Sequence, residues 1–518
     1  MVPAVCLAQA QSNVPAKLLI NEFRVEGNTV LPATSIEKVV MPWLGPERTQ
    51  DDIYAARDAL AKAYESAGYL SASVEAERID PVDTEWGPGW VAVLKVVEGR
   101  VERLKVTGAD YNLPSKLKLQ AGSVAEGEVP HFPTMQEDLG RIARMADMAV
   151  TPLLRPGRDP GTMEVEFKVQ DSLPFHAWTQ LSNEQSPDTS PRRLEVGARY
   201  DNLFQAQHSL SARLITTPLK QEEIRVATLN YSLPVGVRDD KLSLYVLKSD
   251  SQVETNIGTG VTGKGITLGS RWTRTLEAEA PFFHSISLGA DYKRLGEVSE
   301  ETGSKPVSYL PFSLQYIAMR PDEGGNWQFS SSLVNSFGGV MDKRGECGGR
   351  EDLDQFDCRR AGASSSFMLW NGALKRLERF GKWEAVGKFD WQVANGPLLS
   401  GDQFFVGGAD SVRGYYQSEQ GGDDGGRISL EIYTPALTLG EWATKFLTFY
   451  DQGWVRTQQV QSGQNPDYRL AAYGVGLRTN WGKSLSGQLD LARTTLPGSP
   501  TGSKDGATRL HATVRAEF

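Results

Sequence analysis

The 518-residue chain contains no run of about 18 consecutive apolar residues, which excludes a membrane-spanning helix. It does not exclude a membrane β-barrel, whose strands alternate apolar and polar residues and so average to a globular hydropathy; the mean hydropathy is −0.37. Basic runs are also missing and the net charge is −9, which argues against nucleic acid as a partner. Histidine is scarce: His131, His176, His208, His284 and His511 are scattered without metal-ligand spacing, so no metal site is expected. No Gly-x-Ser-x-Gly elbow is present. Gly258 to Lys264 approaches a phosphate-binding loop, but Gly265 stands where a magnesium-binding Ser or Thr belongs, and no strand-to-helix context surrounds it. Neither an enzyme nor a cofactor is expected. A cation on Asp423-Asp424 is conceivable, but a solvated acidic loop is the expected reading.

Cysteine is nearly absent, and its three positions are informative. Cys6 lies in a stretch, Val2 to Ala10, that resembles the end of a secretory signal with a small-x-small pattern closing at Ala10, so residues 1–10 read as a residual, shortened signal. The rival is a lipoprotein site, for which Val5 is too large a residue before the modified cysteine. An exported chain meets an oxidising compartment, and Cys347 and Cys358 are then the pair left to form a disulfide. Closing a loop of about 12 residues contributes on the order of 3 kcal/mol.

What is present begins with a repeat. From Leu18 the pattern reads strand, short helix, long helix, strand, strand: Phe23 and Val25 precede the turn signal Gly27-Asn28. Thr49 and Asp52 form a capping-box pattern, Ile53 to Ala67 has helical spacing closed by Gly68, and Val74 to Arg78 and Val91 to Val97 read as strands. The pattern restarts with Val101 to Thr107 and Gly108, a helix opened by Thr134 and Glu137 with Leu139, Ile142 and Ala146, and strands at Val150 to Leu154 and Met163 to Val169. Residues 18–99 and 100–171 are thus expected to be two copies of one β-α-α-β-β unit. Their order and the Gly-Asn resemble POTRA domains, the polypeptide-transport-associated modules; two generic α+β domains remain the alternative.

After Asp171 helical spacing gives way to alternation. Leu194, Val196, Ala198 and Tyr200 alternate with Arg193, Glu195, Gly197 and Arg199, and Leu510 to Phe518 alternates in the same way around His511, Thr513, Arg515 and Glu517. A sandwich would alternate too. The links, however, alternate between long (Pro187 to Pro191, Asp250 to Gly263, Gly338 to Arg360, Gly396 to Gly426, Leu496 to Gly506) and short (Asp201 to Ala206, Glu277 to Ala280, Lys375 to Phe380). This asymmetry, about 16 strands and a terminal Phe518 predict an outer-membrane barrel over residues 172–518. Cys347 and Cys358 then fall in a long external loop.

The expected loop at residues 395–426 contains Gly407-Gly408-Ala409-Asp410-Ser411-Val412-Arg413-Gly414-Tyr415-Tyr416, and Phe449-Tyr450-Asp451-Gln452-Gly453 follows on the second strand after it. Val-Arg-Gly-Tyr followed by Phe-x-Asp-x-Gly resembles the polypeptide-transporting outer-membrane superfamily of BamA-type insertases and two-partner secretion transporters. The resemblance implies that the loop folds into the lumen, where Arg413 pairs with Asp451 on the barrel wall. Val412, Arg413, Gly414 and Tyr415 are therefore the candidate loop motif, with Phe449, Asp451 and Gly453 as its wall partners. An arginine suits this place because its fork meets a carboxylate bidentately and stays charged when dehydrated. The pair either only anchors the loop or takes part in gating.

Two front units resemble the two-partner secretion transporters of the hemolysin secretion/activation type. Relatives carry a plug helix before the first unit, and few residues precede Leu18 here. The resemblance implies an all-β transmembrane barrel behind two α+β POTRA domains in the periplasm, a secreted partner polypeptide, outer-membrane lipid around the barrel, and insertion machinery that reads the terminal strand. An insertase is the second reading. A passive porin is the third, and it leaves the front domains and the lumen motif unexplained.

Overall fold

The computed structural model describes residues 17–518 except 85–86, 144, 146, 188, 237–239, 252–254, 257–260, 263, 277–280, 297–305, 339, 342–343, 348–349, 461–462, 464 and 501. The signal-like residues 1–10, Ala146 and most of the Gly258 to Lys264 stretch lie outside that set. The chain divides into Met1–Pro174 and Phe175–Phe518.

The first unit holds the repeat. Strand β1 (Leu18–Glu26) leads to α1 (Ala33–Val40), a short β2 (Gly45–Arg48), α2 (Gln50–Ser66), β3 (Ala72–Thr84) and β4 (Gly87–Glu98), with sheet order β2-β1-β4-β3. Thr49 and Asp52 cap α2 reciprocally, as their spacing predicts. Leu18, Ile20, Ile53, Leu60, Tyr64 and Leu94 form the core. The second copy comprises β5 (Arg100–Thr107), α3 (Pro114–Gln120), α4 (Phe132–Ala143), β6 (Met148–Pro156) and β7 (Thr162–Asp171), in order β5-β7-β6, around Leu104, Leu117, Ile142 and Phe167. Among the described residues the second copy has no counterpart of β2, and α4 begins two residues before Thr134.

The two copies share a device invisible to periodicity. In each, the last strand ends on a carboxylate that collects the amides of the loop after the first strand. Glu98 accepts from the Thr29 amide (2.7 Å), the Val30 amide (3.0 Å), the Tyr64 hydroxyl (3.1 Å) and the Thr29 hydroxyl. Asp171 accepts from the amides of Asp110, Tyr111 and Asn112, each at 2.9 Å. Both loops start at a glycine in the left-handed region, Gly27 (φ +89°) and Gly108 (φ +76°), where a Cβ would strike the carbonyl of Val96 or of Val169, respectively.

Burial pushes both carboxyls up, but their hydrogen bonds outweigh it and hold both below the ordinary values for glutamate and aspartate. A carboxyl lowered in the folded state stabilises fully above its unfolded pKa, and that stability is lost as pH falls through the folded pKa. The fragment 17–174 is therefore expected to lose urea resistance as pH drops below about 4, and Glu98→Gln with Asp171→Asn to flatten that dependence. The urea midpoint as a function of pH checks this.

The second unit is a closed antiparallel barrel of 16 strands. They are β8 (Phe175–Ser182), β9 (Arg193–Leu203), β10 (His208–Thr216), β11 (Ile224–Val235), β12 (Asp240–Ser251), β13 (Gly265–Leu276), β14 (Phe283–Leu295) and β15 (Pro311–Pro321), then β16 (Gly325–Ser336), β17 (Phe367–Phe380), β18 (Trp383–Ala394), β19 (Asp424–Tyr433), β20 (Trp442–Arg456), β21 (Asp467–Trp481), β22 (Leu485–Thr494) and β23 (Thr508–Glu517). The first strand pairs with the last: Trp178 to Ser182 face Glu517 to Thr513, and Ala177 and Phe518 exchange both main-chain hydrogen bonds. Beyond this ladder the Asn183 side chain bridges Leu510 O and Ala512 N at 2.7 and 2.8 Å.

The barrel's apolar residues are on its outside: Leu229, Leu268, Leu314, Trp370, Leu430 and Leu489 are all exposed. A large apolar surface of this kind needs lipid. Phe283, Trp327, Phe380, Trp383, Trp442 and Trp481 gather at the end where β8 begins, an aromatic girdle at one interface. Short turns lie at that end and long loops at the other. One short link differs from expectation: Lys375 to Phe380 is strand, and the turn is at Gly381 and Lys382. The polar stretch there extends past the apolar band, so charged residues appear on both faces and imitate a turn. The lumen loop also ends earlier than expected, since β19 starts at Asp424.

Candidate functional site

The 395–423 loop forms a hairpin, with Phe404 to Val406 paired to Gln420 to Gly422, whose tip reaches the inward face of β19 to β23. Arg413, 3% exposed, meets the fully buried Asp451 with both edges of its fork: Nε to Oδ2 at 2.6 Å and Nη2 to Oδ1 at 2.8 Å. Its main-chain amide adds a third bond to Oδ2 at 3.2 Å, and Ser429 Oγ donates to Oδ1 at 2.7 Å. Glu431 lies 3.0 Å and Asp490 3.7 Å from Nη1. Lys388 pairs with Glu431 at 3.3 Å and Arg478 with Asp490 at 2.8 Å. Three cations thus face three carboxylates, and a neutral network avoids much of the cost of burying a single charge.

The remaining motif residues have separate tasks. The Phe449 ring lies under the Arg413 guanidinium, 3.5 Å from it at the centroid, a cation–π contact. Phe449 shares the inward face with Asp451 because the two are two residues apart on one strand, and the contact with Arg413 accounts for an apolar ring on that polar side. Gly453 lets the loop approach the wall, because a Cβ there would lie 2.9 Å from both Val406 and Val412. Gly414 (φ +93°) turns the tip, and its amide donates to His511 Nε2 at 2.9 Å. Tyr415 is fully buried; its hydroxyl accepts from the Ala471 amide (3.2 Å) and lies 2.7 Å from Leu496 O and 2.9 Å from Ala471 O. Val406, Val412, Tyr415, Val455 and Leu470 pack into an apolar collar on the outer side of the charges. A polar cavity of about 300 Å³ remains beside the tip.

Three further anchors carry no signal in the sequence. Glu419 collects the amides of Tyr416, Ser499 and Ser503 at 2.7–3.0 Å and the Ser503 hydroxyl at 2.7 Å, which joins the hairpin to the last outer loop. Asp402 accepts from Lys293 (2.6 Å) and the Tyr309 hydroxyl (2.5 Å). Asp423 departs from the expected solvated acid: it is fully buried, bound by both arms of Arg360 at 2.5 and 2.6 Å and by the amides of Leu398 (2.9 Å) and Gln458 (2.7 Å). Cys358 is disulfide-bonded; the side chain of Cys347, its expected partner, lies outside the described set.

The arrangement can hold a hairpin inside a cylinder through contacts that one coordinated withdrawal would break. Comparison with known proteins agrees with this architecture. The family model for the haemolysin secretion/activation protein ShlB/FhaC/HecB matches residues 161–479, and the POTRA domain model of ShlB type matches residues 18–83. The heme/hemopexin transporter protein HuxB of Haemophilus influenzae is 19% identical over 484 residues, 90% of this chain and 81% of the relative. The hemolysin transporter protein ShlB of Serratia marcescens is 23% identical over 84% of this chain and 77% of its own. Among solved structures, CdiB from Escherichia coli aligns at 16% identity over 99% of this chain and 93% of that one, with a TM-score of 0.66. BamA from Haemophilus ducreyi lacking POTRA domains 1–3 aligns at 13% identity over 96% and 100%, with a TM-score of 0.55. With more than half its length matched by one family model, the chain belongs to the ShlB/FhaC/HecB family of haemolysin secretion/activation proteins, outer-membrane transporters in which POTRA domains precede a β-barrel.

Proposed function

We propose that this transporter captures one unfolded, exported partner polypeptide with its POTRA domains and passes it through the barrel without ATP. The observation that carries the reading is the hairpin held in the lumen by Arg413; on this reading it closes the path at rest and withdraws for a chain to pass. The open edges of the small mixed sheets accept an extended segment as an added strand, and folding of the partner outside supplies direction. Cys347 is the expected partner of Cys358, bracing an outer loop. Proteoliposomes bearing only this chain, given urea-unfolded partner and no nucleotide, should protect it from external protease. Accumulation of the partner in the bilayer would instead favour an insertase.

The same reading assigns Phe518 to biogenesis. Its main chain closes the barrel, while its side chain is 77% exposed. Phe518→Ala should change the heat-modifiability midpoint little, by about 0.5 kcal/mol or less as for a surface change, yet lower the amount of barrel in the membrane. Quantifying folded barrel per cell against purified stability separates the two effects.

A further inference from the structure

The outer wall of β11 to β14 carries a basic patch that the secretion reading leaves unused. Arg225 on β11, Lys248 on β12 and Arg294 on β14 are exposed at the end bearing the long loops. Strand register puts all three on the lipid-facing side: Lys248 stands opposite the outward Ala227 and Ile266, and Ile266 in turn stands opposite Arg294. Lys248 and Arg294 are therefore two strands apart at one height, about 10 Å. Arg225 is a diagonal neighbour of Lys248 at roughly 7–8 Å. Lys264, just before β13, joins them and lies 3.9 Å from Asp250, which also stands opposite Arg225. The one ion pair that these four cations make among the described residues is that of Lys264 with Asp250. Among the described residues, neither Lys248 nor Arg294 has an ion-pair partner.

Beside the patch an apolar groove of about 780 Å³ runs along the wall of β8 to β12. Ala198, Ala212 and Ala227 line it together with Leu214 and Leu229; Lys248 borders it toward the outer end and Phe518 toward the periplasmic end. Small side chains between larger ones leave a trough shaped for hydrocarbon, and cations at headgroup depth match a negatively charged lipid.

We propose that this face binds a phosphorylated glycolipid of the outer leaflet, of the lipid A type, with phosphates on Arg225, Lys248 and Arg294 and acyl chains along the alanine-lined groove. The site rests on the barrel's place in the outer membrane and is independent of what the lumen transports.

The test uses the full chain and the Arg225→Ser/Lys248→Ser/Arg294→Ser variant, both purified in detergent. Mass spectrometry counts lipid A per barrel, and thermal midpoints are read with added diphosphoryl lipid A, dephosphorylated lipid A or phosphatidylglycerol. The full chain should retain lipid A and gain stability with the diphosphoryl form alone. The triple variant, still heat-modifiable, should retain at least roughly tenfold less, given the contribution of each cation at a membrane surface. If its barrel fails to form, Lys248→Ser alone should show a smaller loss, and Arg225→Lys/Arg294→Lys should show none. Equal retention by an intact variant, or an equal shift with phosphatidylglycerol, overturns the assignment.

Discussion

Arg413→Ala should leave a folded barrel in the membrane but unseat the hairpin, raise ion conductance and shift secretion of the partner away from its normal level. Asp451 is fully buried and takes two edges of the arginine fork, while Glu431 and Asp490 lean on the same guanidinium. Removing the cation leaves three carboxylates facing an alanine. Loss of one partner from a buried pair typically costs about 3–5 kcal/mol, a shift of roughly 10²- to 10³-fold or more in the seated population of the loop. The ladder of β19 to β23 does not depend on this contact, so the heat-modifiable band should persist. Arg413→Lys keeps the charge but neither the fork nor the planar contact with Phe449, and should fall between the two. Secretion assays and single-channel conductance, read beside heat-modifiability, check the three together. Secretion at the normal level through Arg413→Ala would reduce the pair to an anchor.

Arg360→Ala should loosen the outer end of the barrel. Asp423 has no exposed surface and receives both arms of Arg360, so the truncation strands a buried carboxylate at the root of the hairpin. The expected loss is again about 3–5 kcal/mol, distributed over the outer loops. It should appear as a lower heat-modifiability midpoint and as new protease cleavage within residues 355–366 and 395–423. Removing both charges with Arg360→Met and Asp423→Leu should recover part of the loss, because no unpaired charge remains. A double-mutant cycle reads the coupling directly. Additive losses from the two single changes would show that Arg360 and Asp423 do not act as a unit.

The parts of this molecule that could be read from its sequence are those with a short period. Alternation in segments such as Leu510 to Phe518 marks strands because one face meets lipid and the other the lumen. Thr49 and Asp52 mark a helix start because the cap is local. The two front units were legible as a repeat, yet their common fastening, Glu98 and Asp171, was not, since each reaches amides some 60 to 70 residues earlier. The lumen motif was legible only through family resemblance. Nothing local says that Phe449 lies under Arg413 or that Gly453 makes room for Val412. His511, Glu419 and Arg360 had no signal at all, because their partners are 97, 84 and 63 residues away. Asp423 shows the limit most clearly: two adjacent acids between glycines look solvated, and only the folded loops reveal an arginine above them.

On the proposed function the hairpin seals the lumen and must leave it for secretion. A Cβ on Gly453 would lie 3.2 Å from that of Val406, slightly inside the spacing of disulfide Cβ atoms, about 3.5–4.5 Å. Val406→Cys with Gly453→Cys, made with Val412→Ala to clear the new Cβ, therefore staples the hairpin to the wall. Secretion is measured with the staple oxidised, and again after reduction by an agent that crosses the membrane, with each single cysteine as control. Secretion should stop when the staple closes and return when it opens. Undiminished secretion through the fully cross-linked protein would contradict the proposed seal.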